Sequence, residues 1–242
     1  MTKKRIATMA TCIALVGTVA VGGTLALISS QSKQLTNTFT VGGGYNEGGS
    51  DFILKEHAVT QDPVDGGYDT KEPEEWVTGT TAPVVDKYPG NNYADLVPNT
   101  DLAKDPTFAI GADCEVAESW IVAKVSGLNK LKDAGVSVSD VADANKWLVL
   151  ESLDATTVPT ANATVDTYTT DADGTVYLIY KDKVAKGATT DPLFTTMRAG
   201  ATVTANNMNL DIKGVAVQAL TNATLDDATL QQILAAAETK LN

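Results

Sequence analysis

Few residues in this chain can do bond-making chemistry. There is one histidine, His57, and there are two cysteines, Cys12 and Cys114. A zinc protease of the common kind needs two histidines one helical turn apart with a glutamate between them. The only histidine context is Lys55-Glu56-His57-Ala58, so that motif is excluded. A Ser-His-Asp set would have to recruit His57, and no Gly-x-Ser-x-Gly elbow accompanies it. Cys114 with His57 would make a nucleophile–base pair, but the ordinary role of an isolated cysteine is that of a small buried hydrophobe. Asp171-Ala172-Asp173-Gly174 opens like a calcium loop and lacks the distal glutamate of an EF-hand; between two strands, Asp-Gly is first of all a turn. The other acid-rich candidate for calcium is Asp62–Glu75. The glycines of Gly42–Gly49 do not lead into a helix, so they form no phosphate cradle. The expectation is a protein without a catalytic set, a resident metal or a cofactor, calcium being the one ion to consider.

Of 242 residues, 43% are hydrophobic and the formal net charge is −12. That composition supports a real core, and so negative a surface repels nucleic acid and anionic lipid. Residues 1–26 read as a secretory signal: Lys3-Lys4-Arg5, then an apolar run from Ile6 to Val21, then small residues at Thr24 and Ala26. The expected cut lies between Ala26 and Leu27. The run is also about long enough to span a bilayer, so retention as an anchor is the competing outcome. Cleavage would remove three basic residues, taking the charge from −12 to −15, and would leave Cys114 as the sole cysteine. The mature protein would then hold together without an intramolecular disulfide.

Downstream, residues 27–242 read as one domain. Residues 27–41 form an N-terminal arm ending in the alternating strand Asn37–Val41. Ala58–Thr100, with five prolines and the acids Glu72, Glu74 and Glu75, reads as an irregular surface insertion or a lid of short strands. Period-two or β-rich runs predict strands at Phe52–Leu54, Thr107–Ile110, Ser119–Ser126, Trp147–Leu150, Thr175–Tyr180 and Ile212–Leu220. In Ser119–Ser126, Trp120, Val122 and Lys124 share one face; Ile121, Ala123 and Val125 share the other. Short helical turns are predicted at Asn129–Ala134 and after Ser139. A final helix, Leu225–Leu241, opens at Thr224 and packs through Leu230, Ile233, Leu234, Ala237 and Leu241. Many short strands without β-α-β alternation predict an all-β antiparallel sandwich with short helical insertions and a C-terminal helix.

Several of these runs resemble the TasA/camelysin family of Gram-positive bacteria, whose signals are cut by the peptidase SipW. The matching residues are Gly22-Gly23-Thr24-Leu25-Ala26, Asn37-Thr38-Phe39-Thr40-Val41-Gly42, Tyr93-x-x-Leu96-Val97-Pro98-Asn99, Lys104-Asp105-Pro106-Thr107, Pro192-Leu193-Phe194-Thr195 and the strand at Ile212–Leu220. Leu27-Ile28-Ser29-Ser30 departs from the family, having neither the aromatic nor the acidic residue found there. The resemblance implies a jelly-roll form of the sandwich and a secreted structural subunit of biofilm-matrix fibres. Its partners would be further copies of itself, other matrix proteins and a SipW-like peptidase; nucleic acid and, after cleavage, a membrane anchor are not expected. By position, the donor strand offered to the next subunit would carry Leu27, Ile28, Leu35, Phe39 and Val41 as plugs. The family also brings a peptidase label, which the residues do not support. A secreted camelysin-type peptidase and a monomeric adhesin using Ala58–Thr100 are the alternative readings.

Overall fold

A computed structural model of the chain describes residues 29–31, 51–71, 76–79, 91–140, 146–159, 171–204, 210–220 and 222–241. The signal segment, the cleavage position at Ala26 and Leu27, the plugs Ile28, Leu35, Phe39 and Val41, and Glu72, Glu74 and Glu75 lie outside these residues. Among the described residues no helix is long and apolar enough to cross a membrane.

The protein is mostly β. One sheet runs in the order β1 (Ser29–Gln31), β14 (Asp211–Gln218), β8 (Glu118–Ser126), β11 (Val176–Tyr180), β10 (Trp147–Leu150), with β12 (Val184–Ala185) pairing the start of β8. A second has the order β3 (Val59–Gln61), β4 (Tyr68–Thr70), β6 (Asp101–Ala103), β13 (Thr196–Ala199), β9 (Val136–Asp140). A third consists of β5 (Trp76–Gly79), β2 (Phe52–His57) and β7 (Thr107–Ile110). The pairings are antiparallel except that of β4 with β6.

Both faces of β8 are buried. Ile121, Ala123 and Val125 enter a core shared with Phe52, Leu54, Phe108 and Ile110 of the third sheet and with Trp147 and Phe194. Phe52 stacks on Phe108 at 5.5 Å, and Phe108 lies 6.1 Å from Trp147. Trp120 and Val122 point the other way, into a core completed by Val215 and Val217 of β14 and by helix α2 (Asp227–Leu241) through Leu230, Ile233, Leu234, Ala237 and Leu241. Lys124 shares that face: its Nζ donates to the Leu241 carbonyl at 3.0 Å, placing a cation at the negative end of the helix. The predicted two faces of β8 and the helix stripe are therefore as observed.

Within 58–100 the described residues follow the short-strand alternative: β5 falls at the expected Trp76-Val77, and β3 and β4 form a hairpin that extends the second sheet and buries Tyr68. Two expectations change. Ser139 lies in β9, where the alternating Val136-Ser137-Val138 run sits on β13, and residues 141–145 of the predicted turn lie outside the described residues. Helix α2 is capped not by Thr224 but by Asp226, whose Oδ1 accepts the Thr229 N–H at 2.8 Å. That bond holds the Asp226 carboxyl below its ordinary pKa.

The short helix α1 (Leu128–Asp133) ends at Gly135, which has φ +84°. A Cβ there would lie 1.9 Å from the Thr202 carbonyl oxygen, so only glycine fits the crossing.

Candidate functional site

Two places combine unusual chemistry or unusual bonding capacity. The first is built on β2. Alternation along Phe52–His57 points Phe52, Leu54 and Glu56 inward, so a carboxylate occupies an apolar strand face, its side chain fully buried. A buried charge needs a partner and hydrogen bonds, and the chain supplies both. Glu56 Oε2 pairs with Lys104 Nζ, while Oε1 accepts the Asn91 backbone N–H at 2.7 Å and Nδ2 at 3.0 Å. Asn91 Nδ2 also donates to the His57 carbonyl at 2.7 Å, and its Oδ1 accepts the Val59 N–H at 3.1 Å. Tyr93 closes the pocket, its ring 6.0 Å from Lys104 Nζ and its hydroxyl donating to the Ala103 carbonyl at 2.6 Å. Burial, with Glu56 and Asp105 nearby, pushes the Tyr93 hydroxyl pKa well up.

His57 borders this cluster. Its Nδ1 contacts Asp105 Oδ2, and its backbone N–H donates to Oδ1 at 2.9 Å. Trp76 lies over the imidazole at 3.6 Å between ring centroids, with Lys55 Nζ 4.1 Å above the indole. The pairing resembles the base and orienting carboxylate of a hydrolytic triad, but Nε2 is closed off from solvent. Through Asp105 this histidine links β2 to the segment before β7. Cys114 is not beside it: the thiol is fully buried in the main core, and burial pushes its pKa up.

Of the calcium candidates, the described acids make these contacts, while Glu72, Glu74 and Glu75 lie outside the described residues. Asp171 Oδ1 accepts the Thr175 N–H at 2.6 Å, and Asp173 pairs with Lys130 at 2.7 Å. The carbonyls of Asp173 and Gly174 accept the N–H groups of Gly127, Leu128 and Asn129, so this turn caps α1. Asp62 and Asp65 bond the N–H groups of Val64 and Gly67. Among the described residues no three metal-ligating side chains converge.

The second place is the outer edge of β14. Its other edge is zipped to β8 along its whole length, Asp211 opposite Ser126 through Gln218 opposite Ser119. On the outer edge, Ser29, Ser30 and Gln31 of the same chain lie opposite Val217, Ala216 and Val215. Three residues of the arm thus occupy part of an eight-residue strand, beside helix α2. The strand read from the arm sequence, Asn37–Val41, lies outside the described residues; the short strand at Ser29–Gln31 and its partner had no side-chain signature, because backbone pairing carries none.

Among the described residues the arrangement is a β-rich protein of several antiparallel and mixed sheets with two helices. No protein-family model matches the chain, and no curated protein or solved structure shows significant similarity to it.

Proposed function

We propose that the chain is a secreted structural subunit, resembling the TasA/camelysin family, that assembles into extracellular biofilm-matrix fibres. In this reading its sheets form a jelly-roll-like sandwich, a SipW-like peptidase cuts between Ala26 and Leu27, and the freed arm serves as donor strand for the next copy. The observation that carries it is the pairing of Ser29–Gln31 with β14.

The β14 edge accepts an extended segment from the N-terminal arm, and backbone hydrogen bonds make such an edge indifferent to which copy supplies it. Exchange of the arm between copies trades like bonds for like bonds. The gain comes from additional pairing along β14, of whose eight residues the described arm residues pair three. An arm leaving one subunit and docking on the next is a head-to-tail contact that need not close, so it yields filaments. Leu27, Ile28, Leu35, Phe39 and Val41 are the apolar side chains of the arm available as plugs.

The test is electron microscopy of the protein beginning at Leu27 against the same protein lacking Leu27–Thr36. The reading expects filaments from the first and isolated particles from the second. Filaments of equal length and number from both would overturn it.

A further inference from the structure

We propose that Lys104 and Asn91 are joined by an isopeptide bond that the folded protein makes itself, with Glu56 as the proton carrier. The juxtaposition is specific. One carboxylate, fully buried, touches the amine through Oε2 and the carboxamide nitrogen through Oε1 at 3.0 Å. The three groups come from separate segments, and backbone bonds fix each: Glu56 in β2 opposite Val77, Asn91 through its N–H to Glu56, Lys104 through its N–H to the Thr195 carbonyl at 3.0 Å. Such fixing replaces an encounter between free groups with an intramolecular step.

The reaction needs a neutral amine, a polarised carbonyl and a proton for the leaving group. The pair is almost wholly removed from water, the Lys104 side chain being 7% exposed and that of Glu56 fully buried. In the step, Lys104 Nζ passes a proton to Glu56 and attacks Asn91 Cγ. Negative charge develops on Asn91 Oδ1, which already accepts the Val59 N–H at 3.1 Å; a donor so placed stabilises the tetrahedral intermediate. Glu56 returns the proton to Nδ2, the Cγ–Nδ2 bond breaks, and ammonia departs with the second proton shed by the amine, as ammonium. One amide forms, one carboxamide is lost, and Glu56 ends as the carboxylate it began as. No oxidant, cofactor or other reactant is consumed.

Tyr93 walls the site, and the dryness that raises its pKa is the dryness the step requires. The bond would tie the end of the 58–100 segment to the β6–β7 connection. That would be a covalent staple in a protein whose one described cysteine is free and buried.

The test is mass spectrometry of the purified full chain, intact and after chymotrypsin, which cuts between the two residues at Tyr93 and Leu96. The expected result is a mass lower than the sequence requires by one ammonia, and a pair of covalently joined peptides, one carrying Asn91 and the other Lys104. Glu56→Gln and Asn91→Ala, each checked for native circular dichroism, should restore the full mass and separate the peptides. Separate peptides of full mass from the folded wild-type chain would overturn the proposal, whatever the variants do. So would an ammonia deficit located at any other residue.

Discussion

Gly214 lies in β14, the strand on which both cores and the arm converge. An ideal Cβ at this position would stand 2.2 Å from Phe108 Cε1, 2.6 Å from Cζ and 2.9 Å from Cδ1. The ring cannot simply step aside, because Phe108 is fully buried, stacked on Phe52 and flanked by Trp147. Gly214→Ala therefore overpacks the main core at an expected cost of about 1–3 kcal/mol. The lower entropy of the unfolded alanine chain offsets about 0.4–1 kcal/mol of this. A net loss of about 1–2 kcal/mol lowers Tm by roughly 2–8 °C in a protein of this size. Thermal unfolding followed by circular dichroism measures it, and a double-mutant cycle with Phe108→Leu identifies the cause. If ring contact is the mechanism, the second substitution relieves the first and the double mutant is more stable than the sum of the singles predicts. An unchanged or raised Tm for Gly214→Ala, or strict additivity in the cycle, would refute the reasoning.

Three further outcomes follow from burial and charge. Tyr180 is buried and donates to Asp191 Oδ2 at 2.5 Å, which pushes its pKa up to about 12 from an ordinary 10.0. Its stabilising contribution is fully present below pH 10 and is lost as pH rises towards 12; ultraviolet titration should show a tyrosine step near pH 12, and Tyr180→Phe should remove that step while Tyr93 stays protonated. The Cys114 thiol should resist alkylation in the native protein and react once denatured, whereas native-state labelling at the denatured rate would contradict its placement. Assembly should strengthen as pH falls from neutral towards about 4, the range of ordinary carboxylate pKa values, because protonation reduces repulsion between subunits of net charge near −15. Light scattering that stays flat over this range would count against it.

How far the sequence reveals this molecule depends on the kind of contact. Period-two burial located β7 at Thr107–Ile110 and both faces of β8, and the 3.6-residue stripe located the packing face of α2, because each pattern reports a local exposure to apolar surroundings. Ser139 misled because Ser-Asp favours helix starts locally, while the Val136 and Val138 alternation, backed by pairing with β13, decides for strand. The β3–β4 hairpin was hidden by the prolines and glycines around it and by its parallel attachment to β6. The Glu56 cluster left one trace: a carboxylate continuing the inward parity of Phe52 and Leu54. That signal says a partner must exist; it cannot say that the partners are Lys104 and Asn91, which only the tertiary fold brings to β2.

The most direct test of the assembly account uses the register of β1 on β14. Ser30 and Ala216 lie opposite one another, so Ser30→Cys with Ala216→Cys places two thiols to report which chain supplies the strand. The doubly substituted protein, polymerised and then oxidised, should run as a ladder of covalent multimers on a non-reducing gel, while unassembled protein oxidises within one chain. Filaments that dissolve into cross-linked monomers alone, or a mature protein that forms no filaments, would contradict the account.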